Sequence, residues 1–248
     1  MCNIYTLMQH MNRSILIGIL SLAGVLTGEA QDFFSTERRD ELFSLGVRAG
    51  INTSNRTVAS DCGFDYQYQS WGTGFSAGLV ADINIRDYVA IQPGVFFESR
   101  SGHSTFTSVV PNLVDRDAYV AQSAHRHTYN LNIPVLASFR FNVTDAIRWQ
   151  IEAGPYVAFL LKSKLQNKEL IASRPELENE VPFKGKPASV DFGLKIGTGL
   201  EFMSHYYVGV HYEAGLTRAY KNKDLGNNLI RTYGGHTKAW TFTLGYNF

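Results

Sequence analysis

The chain has 248 residues, 44% hydrophobic and 13% aromatic, with 23 Lys and Arg against 22 Asp and Glu and a formal net charge of +1. That balance leaves no cationic surplus for a phosphate backbone and argues against a nucleic-acid partner. No run of about eighteen apolar residues follows the amino-terminal region, so any membrane crossing must be made by strands, and the length suits one large all-β domain.

Residues 1–30 read as a cleaved signal peptide. Arg13 supplies the positive region, Ile15 to Leu26 the apolar stretch, and Gly28, Glu29 and Ala30 a small-x-small cleavage site, with the mature chain starting at Gln31. Translation starting at Met11 or Met8 is the alternative to Met1, because the residues before Met11 are too polar to belong to the signal; Cys2 is then never exported. Cys62 is left as a single thiol, which excludes an intramolecular disulfide framework and reads as an inert loop residue. Residues 31–42 form a periplasmic segment, and 43–248 the domain itself.

From Phe43 onward the chain alternates with a period of two. The first run, Phe43 to Asn52, sets Leu45, Val47, Ala49 and Ile51 against Gly46, Arg48 and Gly50, and the second, Phe75 to Asn84, sets Ala77, Leu79 and Ala81 against Gly78 and Asp82. In the third, Val89 to Arg100, Ile91, Val95 and Phe97 oppose Gln92, Gly94 and Glu98, and Pro93 predicts a bulge because proline cannot donate to a ladder. The fourth, Tyr129 to Phe141, also carries a proline, Pro134; the fifth runs from Ile147 to Phe159, the sixth from Val190 to Phe202 and the seventh from Tyr206 to Leu216. The eighth, His236 to Phe248, places Trp240, Phe242, Leu244, Tyr246 and Phe248 on one face and Thr237, Ala239, Thr241, Thr243, Gly245 and Asn247 on the other. That division suits a sheet facing hydrocarbon rather than a soluble core.

The connections go long, short, long, short, long, short, long: Thr53 to Gly72, Arg86 to Asp87, Ser101 to His127, Asn142 to Ala146, Lys162 to Pro187, Met203 to His205 and Thr217 to Gly235. Eight runs near the nine to eleven residues a tilted strand needs, with that alternation of loops, predict an eight-stranded antiparallel up-and-down transmembrane β-barrel. Its short turns and both termini lie in the periplasm, its long loops outside. A cylinder of about eight strands is narrow enough for side chains to fill. The inward-facing charges are Arg48, Arg100, Arg140, Arg148 and Lys195 against Asp82, Glu98, Glu152, Asp191, Glu201 and Glu213, which predicts a lumenal ion-pair network. Counting along the strands puts Asp82, Arg140, Arg148, Glu152 and Glu201 low, Arg48, Lys195, His211 and Glu213 in the middle, and Glu98, Arg100 and Asp191 high, with inward glycines leaving room for them. On the outward face, Phe141, Trp149, Phe202, Tyr206 and Phe248 fall near the periplasmic interface and Phe75, Tyr129, Phe159 and Trp240 near the outer one, as two aromatic girdles.

Several runs resemble the PorT-type outer-membrane β-barrel domain of the Bacteroidetes: GVRAGIN from Gly46, GFSAGLVADI from Gly74, LNIPVLASFRF from Leu131, AGPYVAFLL from Ala153, DFGLKIGTGLEF from Asp191 and YEAGLT from Tyr212. The resemblance covers nearly all of the mature chain. It implies an outer-membrane barrel and, through the family's namesake, a tie to type IX protein secretion; the matched stretches are structural, so it carries over no catalytic residue.

His103, His125 and His127 share one connection with Asp115 and Asp117, which makes the histidines candidate ligands for zinc or copper and the cluster a candidate catalytic rim. The competing reading is solvated loop histidines. Inside the barrel, His211 beside Glu213 and Lys195 fits acid-base chemistry or a hydrogen-bond network, and no Ser nucleophile is placed with them. The charged stretch Lys162 to Lys186 mixes signs and reads as a solvated loop. No cofactor motif is present. The leading expectation is an outer-membrane protein without enzymatic activity, surrounded by lipid, acting as an anchor or as a docking surface for periplasmic or cell-surface proteins. A rim enzyme acting on lipid or peptide, a narrow channel, and a soluble lipocalin-like barrel with its apolar residues pointing inward stand as the alternatives.

Overall fold

Each alternating run becomes a strand, because backbone polar groups in hydrocarbon find partners only in a neighbouring strand, and the sheet must close so that no edge is left unpaired. The computed structural model describes residues 42–60, 65–109, 119–172, 186–218, 220–221 and 232–248. Its strands are β1 (Phe43–Ser60), β2 (Asp65–Arg86), β3 (Val89–Val109), β4 (Tyr119–Thr144), β5 (Ile147–Ala172), β6 (Lys186–Pro187), β7 (Val190–Phe202), β8 (Tyr206–Gly215), β9 (Tyr220–Lys221) and β10 (Thr232–Asn247). Eight of them close a barrel in the order β1-β10-β8-β7-β5-β4-β3-β2, and β6 and β9 form a separate two-stranded patch. The fold is the expected closed, eight-stranded antiparallel barrel, sealed where β1 pairs with β10 from Gly46 opposite Asn247 onward. The signal segment, Cys62, Asp115 and Asp117 lie outside the described residues.

The faces are arranged as an outward apolar wall around a polar interior. On β10, Leu244 is 65% exposed while its neighbour Thr243 is 8% exposed, and on β7 Leu194 is 54% exposed beside Lys195 at 5%. This orientation excludes the lipocalin-like alternative, whose apolar side chains would fill the interior.

The loops expected at Thr53 to Gly72 and Ser101 to His127, and the first part of that at Lys162 to Pro187, are largely strand. β1 and β2 stay paired or extended to Ser60 and from Asp65, β3 and β4 pair out to Val109 opposite Tyr119, and β5 reaches Ala172. With 26 residues each in β4 and β5, against the nine to eleven that span a bilayer, roughly 50 Å of each strand projects beyond the membrane at about 3.3 Å per residue. Both faces of such a ribbon meet water, so nothing in its hydrophobic pattern marks it as a strand. The register slips where ribbons leave the barrel, at Arg56/Val58, Trp71/Phe75 and Tyr129/Asn130, and again near the periplasmic ends, at Asn84/Arg86 and Asn142/Thr144. Bulges concentrate at barrel rims, where added twist redirects the strand.

No bulge forms at Pro93. Its ladder to β2 is interrupted between Val80 opposite Gly94 and Ile83 opposite Ile91 and resumes in the same register, while Pro93 stays paired with Val135 on the other side. A single missing donor is absorbed as a local gap because both neighbouring strands hold the register. The β7–β8 turn takes Met203 and Ser204 into the left-handed region, at φ 52° and 61°, a conformation that lets a tight hairpin follow the strand twist. Met203 N donates to Ala146 O at 2.7 Å, so this turn is pinned to the β4–β5 turn beside it.

Candidate functional site: the charged lumen and the outer rim

Strand parity turns long polar side chains into the lumen, where they are buried and hydrogen-bond to one another. Three clusters result. Toward the outer end, Arg100 is held between Glu98 and Glu213, Lys195 Nζ lies 2.9 Å from Glu213 Oε1, and Asn132 Nδ2 donates to Glu98 Oε1 at 3.0 Å and Glu213 Oε1 at 2.9 Å. In the middle, Glu152 Oε2 faces His211 Nε2 at 2.5 Å and accepts from the Tyr207 hydroxyl at 2.9 Å, with the Arg48 guanidinium 4.3 Å above the Tyr207 ring.

At the periplasmic end, Arg140 Nη2 pairs with Asp82 Oδ2 at 2.8 Å as an ion pair off hydrogen-bond alignment, its Nη1 donates to Asn84 at 2.6 Å, and Gln92 donates to Asp82 at 2.8 Å. Beside it, Glu201 accepts from Arg148 at 3.2 Å, Gln150 at 2.9 Å and Asn247 at 3.1 Å. Arg148 also reaches Asp87 at 3.5 Å.

The expected heights are corrected in two places. Glu213 and Lys195 join the outer cluster with Glu98 and Arg100, and Glu152 joins His211 in the middle, because Glu152 is opposite Gly197 and Gly197 opposite His211 across the tilted ladder. Counting along single strands ignores that stagger. Two of the eleven predicted charges are not brought into an ion pair among the described residues. Arg48 donates to the carbonyls of Val47 at 3.2 Å and Tyr246 at 3.4 Å and lies on Tyr207, and Asp191, near the outer rim, accepts from Tyr156 at 3.2 Å and Thr217 at 2.7 Å. The neutral bridging groups Asn132, Gln92, Gln150, Tyr207 and Asn247 were not predicted as network members; their inward parity was the available signal. Two glycines make the packing feasible: a Cβ at Gly197 would stand 2.2 Å from His211, and one at Gly209 2.3 Å from the Tyr207 hydroxyl.

A cavity of about 20 Å³ lies among Arg48, Phe96, Lys195, Tyr207, His211 and Thr243, the size of a single water molecule. His211 stands with Glu152 and Tyr207 instead of with Glu213 and Lys195, and the geometry is that of a hydrogen-bonded plug.

The girdle residues lie on the outward face. At the outer interface Phe75, Phe97 and Tyr129 form a row with centroids 6.0 Å apart, and Trp240 stands 4.8 Å from Tyr212; Phe159 is exposed. At the periplasmic interface Phe141 and Trp149 are 5.3 Å apart, Tyr246 packs on Tyr206 at 5.5 Å and on Phe248 at 5.4 Å, and Phe202 pairs with Tyr206 across β7 and β8. Trp149 Nε1 donates to Thr198 Oγ1 at 2.6 Å, satisfying an indole N–H at the edge of the hydrocarbon. Phe97, Tyr212 and Tyr246 extend the expected girdles.

His103, His125 and His127 lie on strands of the β3–β4 ribbon rather than in a loop. His103 is opposite His125, and His125 stacks on His127 with centroids 4.8 Å apart. His103 Nε2 is 3.1 Å from Ser123 Oγ. Among the described residues no group of His, Cys, Asp and Glu is placed to hold a metal ion. Partial burial, then the neighbouring His127 and His103, hold the His125 imidazole below its ordinary value of 6.5.

A family model for the outer membrane protein beta-barrel domain matches residues 30–221. The chain belongs to that family. Membership places this barrel in the bacterial outer membrane. No curated protein matches it. Among solved structures, the family barrel is similar to the outer membrane protein OprG from Pseudomonas aeruginosa, at 12% identity and TM-score 0.47, covering 87% of this chain and 99% of that one. It is also similar to Ail, the attachment invasion locus protein of Yersinia pestis, at 13% identity and TM-score 0.36 with 84% and 100% covered. The outer membrane enzyme PagL follows at 15% identity and TM-score 0.32 with 78% and 97% covered. Similarity of this degree transfers no function to the family barrel.

Proposed function

We propose that the chain is a non-enzymatic, non-conducting scaffold of the outer membrane that presents its outer ribbons and periplasmic turns to protein partners in the periplasm or at the cell surface. The sealed lumen carries this reading: buried carboxylates and cations occupy the barrel axis from Arg140 and Glu201 to Glu98 and Arg100, and a conducting path would have to dismantle them. PorT-type membership, export through a signal peptide over residues 1–30 and a link to protein secretion belong to the same proposal and rest on the sequence stretches alone. Planar-bilayer recording of the purified protein tests the plug, with a flat trace expected and stable conductance steps contradicting it. Crosslinking in intact cells identifies the partner. Replacing His103, His125, Asp115 and Asp117 together with Ala is expected to leave the lipid and protein profile of the membrane unchanged; an altered profile would favour a rim enzyme.

A further inference from the structure

The two ends of the barrel carry charge differently. At the periplasmic end both signs meet, as in the Arg148–Asp87 and Arg148–Glu201 pairs. At the outer end the outward face is basic. Across β4 and β5, Lys162 is opposite Tyr129 and Lys164 opposite His127, and across β3 and β4, His103 is opposite His125. Residues opposed in an antiparallel ladder share a face, so these five side chains continue the column that carries Tyr129 and Phe97. On the far side of the barrel, exposed Lys238 follows Trp240 on the outward face of β10.

Between the girdle and His103, no Asp or Glu stands on the outward face among the described residues. The next carboxylate on β5, Glu169, is opposite Ser123, farther out. Asp191, near the same height, is turned inward to Tyr156 and Thr217.

Position gives the charge its meaning. Lys162 is level with Tyr129, and His127, Lys164 and Lys238 stand about one side-chain repeat, roughly 6.6 Å, beyond their girdle aromatics. A headgroup layer is about 5 to 7 Å thick, so these groups lie at the depth of lipid phosphates. Lysine stems can lie along the apolar wall while their ammonium groups meet the headgroups. We infer that this basic collar binds the phosphate groups of anionic lipids in the outer leaflet, fixing the depth and tilt of the barrel. A phosphomonoester carries about −1.5 to −2 charges and accepts several hydrogen bonds, which matches ammonium and imidazole donors spread along one face.

The test uses the folded full-length protein in phosphatidylcholine vesicles containing spin-labelled phosphatidic acid or spin-labelled phosphatidylcholine, and reads the motionally restricted lipid fraction by electron spin resonance. A preference of about threefold or more for phosphatidic acid is expected, weakened by salt. It is erased in K162Q/K164Q/K238Q and retained in R86Q at the opposite rim, with unchanged circular dichroism in both. Equal restriction of the two lipids, a preference that survives the triple substitution, or one lost with R86Q would overturn the collar. Abolition by millimolar inorganic phosphate at constant ionic strength would also overturn it, by assigning the site to a free anion.

Discussion

At the scale of single residues, the lumen concentrates its stakes in Glu213. This carboxylate is fully buried, holds Arg100 and Lys195 together and accepts from Asn132. Removing one member of a buried ion cluster leaves the others charged in a dry site, at a cost of about 3 to 5 kcal/mol. Glu213→Gln is therefore expected to lower the unfolding free energy by about that amount in urea titrations of the vesicle-embedded protein, whereas Thr243→Ser, a small change on the same inner face, costs under about 1 kcal/mol. A second expectation concerns His125, whose groups in view are His127 on its own strand, His103 on β3 and Lys162 and Lys164 on β5, with Ser70 of β2 opposite His103. Burial and the other imidazoles depress its folded pKa below the ordinary 6.5. The unfolded chain then takes up a proton first as the pH falls, so this group contributes a loss of stability that begins near 6.5 and levels off below the folded pKa. In an NMR titration its midpoint is expected below 6.5 and is expected to rise in His127→Gln; an unmoved midpoint would remove the neighbouring ring as a cause.

At the scale of elements, adjacent residues on one strand live in different solvents. On β7, Leu194 faces lipid and Lys195 faces Glu213, so Leu194→Arg is expected to cost about 2 to 4 kcal/mol near the midplane although a cation is already native one position along. Equal tolerance of Leu194→Arg and Thr243→Ser would mean that the faces are reversed. That contrast also explains what the sequence disclosed. Alternation reports which side of a strand meets hydrocarbon, so the eight spanning segments and the lumen-facing parity of Arg48 to Glu213 were legible from periodicity. The alternation stops at the edge of the bilayer, whereas hydrogen-bonded pairing does not, so the extensions at Thr53 to Ser60 and Ser101 to Val109 carry no strand signal in the sequence. Heights inside the lumen are not legible in the same way, because the stagger between strands is a property of pairing, invisible in any one run. Beyond the bilayer β2 to β5 stay paired as an open four-stranded sheet, with Gln67 opposite Phe106, Thr107 opposite Ala121 and Ser123 opposite Glu169, and the ladders that close the barrel lie below it and do not depend on those pairs. Replacing Thr105 to Ser123 by Asn-Gly, a pair suited to a two-residue hairpin, is expected to leave the unfolding free energy of the barrel, read from urea titration, within about 1 kcal/mol of that of the full chain. A collapse of folding would show that the ribbon helps hold the barrel closed.

At the scale of the whole molecule, the closed sheet and the ionic plug serve different ends. Closure satisfies the backbone in lipid and is indifferent to what fills the lumen; the plug determines whether anything passes. The lumen can therefore be emptied in part without opening the sheet, provided charge is removed in balance. Glu98 and Arg100 are neighbours on the inner face of β3, and Arg100 bridges to Glu213. Replacing Arg100 and Glu98 together with Ala removes one charge of each sign and leaves Lys195 paired with Glu213 at 2.9 Å. The outer constriction widens while the periplasmic clusters around Arg140 and Arg148 stay in place, so the double variant is expected to fold and still show no steady conductance. Adding Arg140→Ala with Asp82→Ala removes that pair as well, again in balance, but the Arg148–Glu201 pair and the central cluster on Glu152 remain, so the quadruple variant is expected to stay silent too, and discrete current steps from it in a planar bilayer would mean that those groups do not close the lumen. Conductance from the outer double variant alone would show that a single layer seals the barrel.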